Sequence, residues 1–126
     1  MCAKNMWGKL DDLEPIKTPT LILKEQGTLL FNATNGVLFG KTILETAGDK
    51  FFITFDIIAQ YLNEYRYTLL TVRHGLDVYP LKVGDKVHNV EYSCETEERF
   101  VEIVEHILSS TEVRKIIQTL ISQSKG

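Results

Sequence analysis

Arg73, His74 and Asp77 are the residues whose types and spacing come nearest to chemistry. Histidine titrates near neutral pH, and a histidine oriented by an aspartate is the beginning of an acid–base site. A hydrolytic site also needs a nucleophile. No Ser or Cys motif supplies one, and nothing in the sequence places Cys94 beside His74. The competing reading is a turn in which Asp77 caps backbone amides and His74 is exposed. His106 lies four residues after Glu102, so a helix would put both on one face, where they could bind a metal. One such pair falls short of a metal site, and a histidine near a helix C-terminus already meets the dipole favourably. His88 is expected on a strand, alternating with Val87 and facing solvent. No catalytic residue, metal ligand or cofactor is assigned from these groups.

The five tyrosines, Tyr61, Tyr65, Tyr67, Tyr79 and Tyr92, fall in or near the predicted strands. Tyrosine buries a ring and keeps a polar tip, which suits a binding surface as well as ordinary sheet packing. Tyr65 and Tyr67 share a strand face, with Arg66 on the other. The candidate binding set is therefore Tyr65, Tyr67, Arg73, His74, Asp77 and Tyr79. The segment Gly36-Val37-Leu38-Phe39-Gly40 lacks the lysine and hydroxyl of a phosphate-binding loop. There is no GxSxG elbow, HExxH or CxxC. The chemistry thus leans away from an enzyme.

Composition narrows the class further. The 126 residues suit one domain, and 44% hydrophobic with 25% charged residues is the balance of a chain that folds around a core. The net charge of −3 and the lack of a Lys/Arg cluster argue against nucleic acid, for Arg66 and Arg73 are the nearest approach to one. Two cysteines, Cys2 and Cys94, do not make a disulfide framework. The start, MCAKNMWGKLDDLEP, has no apolar signal region, and no run approaches the ~20 apolar residues of a membrane span. The expected location is the cytoplasm, and the sequon Asn32-Ala33-Thr34 is read as chance.

The elements that must position these residues are an arm over residues 1–17 and a single α+β domain over 18–126. The arm carries Trp7, Leu10, Leu13 and Ile16, expected to pack on the domain; the alternative is a partner-docking segment. Thr18 and Pro19 open a helix over 18–36 whose stripe is Ile22, Leu29, Leu30 and Ala33, and Asn35-Gly36 stops it. Gly27 counts against the helix by roughly 1 kcal/mol, and the competing hairpin pairs Leu21–Lys24 with Thr28–Asn32. Four or five antiparallel strands follow: Val37–Thr46, Lys50–Ile58, Tyr65–His74, Val78–Val83 with Pro80 marking an edge or bulge, and Lys86–Cys94. Residues 56–65 have a short helix as their alternative. Glu95, Glu97 and Glu98 complement the start of a helix with the stripe Phe100, Ile103, Val104, Ile107 and Leu108. Ser109-Ser110-Thr111-Glu112 has the spacing of a capping box for a last helix with the stripe Val113, Ile116, Ile117, Leu120 and Ile121. Both C-terminal helices are expected on one face of the meander.

On the second strand Phe51, Ile53, Phe55 and Ile57 share a face, while Phe52 and Ile58 lie on the other. If helices cover one face only, a second subunit could cover the other, with Phe52 and Ile58 at the interface. The functional expectation is a non-catalytic protein-interaction or accessory module, homo-oligomeric and open to a protein partner. The alternatives are a small-molecule binder with a pocket between sheet and helices, and a small enzyme using His74 and Asp77.

Overall fold

A computed structural model of the chain describes residues 3–125. The order of elements is α1 (Pro19–Ala33), β1 (Leu38–Ala47), β2 (Lys50–Ala59), β3 (Tyr65–His74), β4 (Leu81–Asp85), β5 (Val90–Cys94), α2 (Glu97–Leu108) and α3 (Thr111–Lys125). The five strands form one antiparallel meander in the order β1-β2-β3-β4-β5. This is the α+β architecture that the grouping of strands between helices predicts.

Residues 19–33 form a helix, with Thr34 as its C-cap, and not a hairpin. Thr18 caps it by accepting from the Leu21 amide at 3.3 Å, and Pro19 loses nothing at the first position because its missing N–H would have no partner there. The chain leaves α1 through Asn35 (φ 53°) and Gly36 (φ 81°), whose amide returns to the Phe31 carbonyl at 2.8 Å. The buried stripe is Pro19, Ile22, Leu23 and Gly27; Leu29 and Ala33, expected on it, are exposed. Gly27 explains the shift. Its Cα lies against the backbone of Gly40 on β1, and two residues without side chains let helix and strand touch.

The β1–β2 hairpin turns on two residues, with Gly48 at φ 63° in the first position. β2 continues to Ala59, so residues 56–59 are strand and not helix. Between Phe55 and Asp56 the pairing with β3 skips one residue, and Leu69 becomes a bulge. Leu69 and Leu70 are both buried as a result.

β4 begins at Leu81, three residues later than the sequence predicts. Val78 takes φ 67°, a left-handed conformation that β-branched residues avoid, and Pro80 cannot donate to a ladder. Gly84 and Asp85, which fall between the two strands read from sequence, end β4 as strand, and the turn falls on residues 86–89. β5 is correspondingly short.

All three helices lie on one face of the sheet. Gln26, Leu30 and Ala33 of α1, Phe55, Ile57 and Leu69 of the sheet, Leu108 of α2 and Val113 and Ile117 of α3 surround one cavity. The core runs from Ile22 and Leu23 through Ile53, Phe55, Ile57, Val72, Leu81 and Val83 to Phe100, Ile107 and Val113. Thr96 caps α2 through the Arg99 amide, with Glu97 and Glu98 in the first turn. The cap of α3 is Ser110, one residue later than a box starting at Ser109; its hydroxyl accepts from the Val113 amide at 3.3 Å. Glu112 is thereby freed from the capping box.

Candidate functional site

The corner proposed from Arg73, His74 and Asp77 does not assemble. Arg73 pairs with Phe52 and Lys82 on the face opposite the helices, whereas His74 pairs with Phe51 on the helix side. The His74 ring is buried, stacks on Phe51 with centroids 5.1 Å apart, and donates from Nδ1 to the Gly75 carbonyl at 2.7 Å. Asp77 is exposed and shares no hydrogen bond with His74. With its imidazole against Phe51 and bonded to Gly75, His74 makes no acid–base pair with Asp77, and the competing reading of an exposed His74 is corrected too.

Tyr79 lies elsewhere again. Its hydroxyl is buried without a hydrogen-bond partner, and burial, with the nearby charges of Glu97, Cys94 and Glu98, pushes its pKa up to about 12. Cys94 is a buried free thiol whose pKa is likewise raised by burial. Cys2 lies outside the described residues. Neither Tyr79 nor Cys94 has the lowered pKa of a reactive group.

Tyr65 and Tyr67 do come together. They line one side of an open groove with Val87, facing Glu112, Lys115, Ile116, Thr119 and Leu120 of α3. Antiparallel pairing with Ala59 and Ile57 puts both rings on the helix side of β3.

At the rim of that groove stands a cluster that sequence reasoning missed. Buried Asp85 at the end of β4 accepts from the amides of Val87 and His88, each at 2.9 Å. Its second oxygen takes the His88 Nδ1 proton at 2.6 Å, and His88 Nε2 donates to Glu112 at 2.9 Å. The hydrogen bonds to Glu112 and then Asp85 raise the His88 pKa, and His88 in turn lowers that of Glu112. His88 therefore sits in the turn between two carboxylates and not on a solvent-facing strand. When the ring is protonated both nitrogens donate, and it then holds no lone pair for a metal or for proton abstraction. The cluster is a clasp that ties the β4–β5 turn to the start of α3. The aspartate three residues before a histidine is a local signal for the turn; Glu112, 24 residues from His88, has no local signal. His106, read with Glu102 as a possible metal pair, lies 6.5 Å from the His88 ring and meets Tyr92 edge-on.

The other face of the sheet carries no helix. Phe52 there is 39% exposed, but Ile58 is only 3% exposed, between Phe39 and Arg66 in the register. Of the two interface candidates, only Phe52 offers surface. Next to Ile58, buried Asp56 meets the Arg66 guanidinium at 3.5 Å.

The arm does not pack on the domain. Its described residues, 3–17, form neither helix nor strand, and Met6, Trp7, Leu10, Leu13 and Ile16 are 52–86% exposed. The expectation that they cover the core from outside is corrected.

No helix among the described residues is long and apolar enough to cross a membrane. No family model matches the chain, and no curated protein or solved structure matches it either.

Proposed function

We propose that this chain is a non-catalytic protein-interaction module that associates with itself and docks a protein partner. The observation that carries this reading is the arm. Five large apolar side chains within eleven residues stand in water. Each buried against a partner would contribute at about 25 cal/mol per Å², and aromatic anchors such as Trp7 dominate interfaces of that kind. The histidines point the same way, because His74 and His88 are committed to structural hydrogen bonds. A cytoplasmic location fits a buried free thiol at Cys94.

The double variant Trp7→Asp, Leu10→Asp tests the arm. It should fold as the parent does, since both side chains are exposed, and should lose any partner that copurifies with the parent. Equal recovery of the partner by both proteins would contradict docking through the arm. Phe52→Asp should cost about 1–2 kcal/mol and leave the domain folded; complete unfolding, read by circular dichroism, would make Phe52 a core residue and remove the helix-free face from the reading.

The groove between Tyr65, Tyr67 and α3 supports a second reading, a small-molecule site. Its aromatic wall and the Lys115–Glu112 side suit a flat ligand with a polar edge. A metabolite bound there should raise the melting temperature of the parent and not that of Tyr67→Ala. An equal shift in both proteins would place the ligand elsewhere.

A further inference from the structure

We infer that the partner in self-association is a second copy paired edge to edge along β1, with Ile43 facing Ile43 across a two-fold axis. The inference rests on the oligomeric reading above and assigns its surface.

β1 is ten residues long and pairs on one side only, with β2. Its outer side carries a row of backbone N–H and C=O groups without strand partners. Sheet edges are commonly blunted by proline, a bulge or shortness. β1 has none of these, for it contains no proline and runs in unbroken register from Leu38 to Ala47; its edge is guarded only by Thr34 on the Leu38 backbone and by the charges of Lys41 and Glu45, which a second copy can pair. The opposite edge, β5, is five residues long.

The sequence of β1 chooses the second copy as the occupant. Lys41 and Glu45 are its only charged residues, and they stand symmetrically about Ile43 on the helix-free face. An antiparallel pair centred on Ile43 sets Lys41 of each copy against Glu45 of the other. It also sets Thr42 against Leu44, which is 48% exposed in the single chain. Moving the axis one residue either way faces Lys41 with Ile43 or with Ala47. Moving it two residues faces Lys41 with Lys41 or Glu45 with Glu45. Like charges directly opposite destabilise a strand pair, and opposite charges support it. Only the Ile43-centred register satisfies both charges, and a two-fold axis makes the contact twice. The sheets of the two copies would run on as one, and Phe52, beside Glu45 on β2, would flank the joint.

Sedimentation of the full chain, the single variants Lys41→Glu and Glu45→Lys and the double variant tests the register. Both substitutions are at exposed positions and leave the core untouched. Each single variant places like charges opposite twice and should weaken the dimer by about ten- to a hundredfold. The double variant should restore it, and an equimolar mixture of the two singles should form the heterodimer. If the parent dimerises and both singles match it, the β1 register is wrong while self-association stands. If the parent is monomeric at every concentration reached, both fall together.

Discussion

Gly40→Ala is expected to destabilise the domain by about 3 kcal/mol, although the change adds one methyl group to an otherwise ordinary strand position. A Cβ at Gly40 would stand 2.6 Å from the Gly27 Cα and 2.8–2.9 Å from the Phe55 ring. The first neighbour is backbone and cannot rotate away. The ring belongs to the core, where it can give way only if its packed neighbours shift with it. Gly27→Ala carries the reciprocal test. Alanine is a better helix former by about 1 kcal/mol, so propensity alone predicts a gain. The new Cβ would stand 2.5 Å from the Gly40 carbonyl oxygen, so α1 must lift from β1 and the net result should be a loss of about 1–3 kcal/mol. Gly75→Ala is the control, with only the Asp49 carbonyl oxygen near, at 3.9 Å, and should stay within about 0.5 kcal/mol of the parent. Urea denaturation of the three variants measures all of this. A stabilised Gly27→Ala would mean that α1 does not sit on β1 at this distance.

Asp85→Ala carries the second large effect, a loss of about 2–4 kcal/mol. The buried carboxylate closes the β4–β5 turn through two amides and holds the His88 ring, so its removal strands three donors at once. Asp85→Asn keeps an acceptor for the amides and should lose roughly half as much. The clasp also gives stability a pH profile. His88 titrates above its ordinary 6.5, so its contribution is complete below that value and fades as pH rises through the raised folded value. Glu112 titrates below its ordinary 4.5, so its contribution is present above 4.5 and is lost as pH falls. The clasp is therefore strongest between 4.5 and 6.5. Glu112→Gln should flatten the profile on both sides of that window. Denaturation midpoints that do not change between pH 5.5 and 8.5 in the parent, or an Asp85→Ala variant as stable as the parent, would contradict the clasp.

What the sequence makes legible is mostly what neighbours along the chain decide. Thr18-Pro19 and Asn35-Gly36 bracket α1 because caps act within one turn. β3 is read to the residue, since alternation and flanking turns are both local. The amphipathic stripes of α2 and α3 fall as periodicity requires. The misses come from contacts distant in sequence. Gly27 reads as a defect until Gly40 is found against it. The Leu69 bulge has no glycine or proline to announce it. Of the candidate site residues, Tyr65 and Tyr67 meet because alternation on one strand joins them. Arg73 and His74 part for the same reason, and Asp77 lies beyond a turn whose left-handed Val78 no propensity suggests. The clasp needs Glu112 from α3, which begins only after the whole of α2 has followed the last strand, and no local pattern encodes that meeting.

The central claim, that the chain works by binding other chains, is tested most directly by native mass spectrometry of the protein isolated from its own host. A mass of twice 14.4 kDa, or that of one chain with an added protein, is the expected result. A bare 14.4 kDa chain at every concentration would contradict the interaction reading and the β1 pairing with it. A single chain carrying a small added mass would contradict them too, and would move the function to the groove beside Tyr65 and Tyr67.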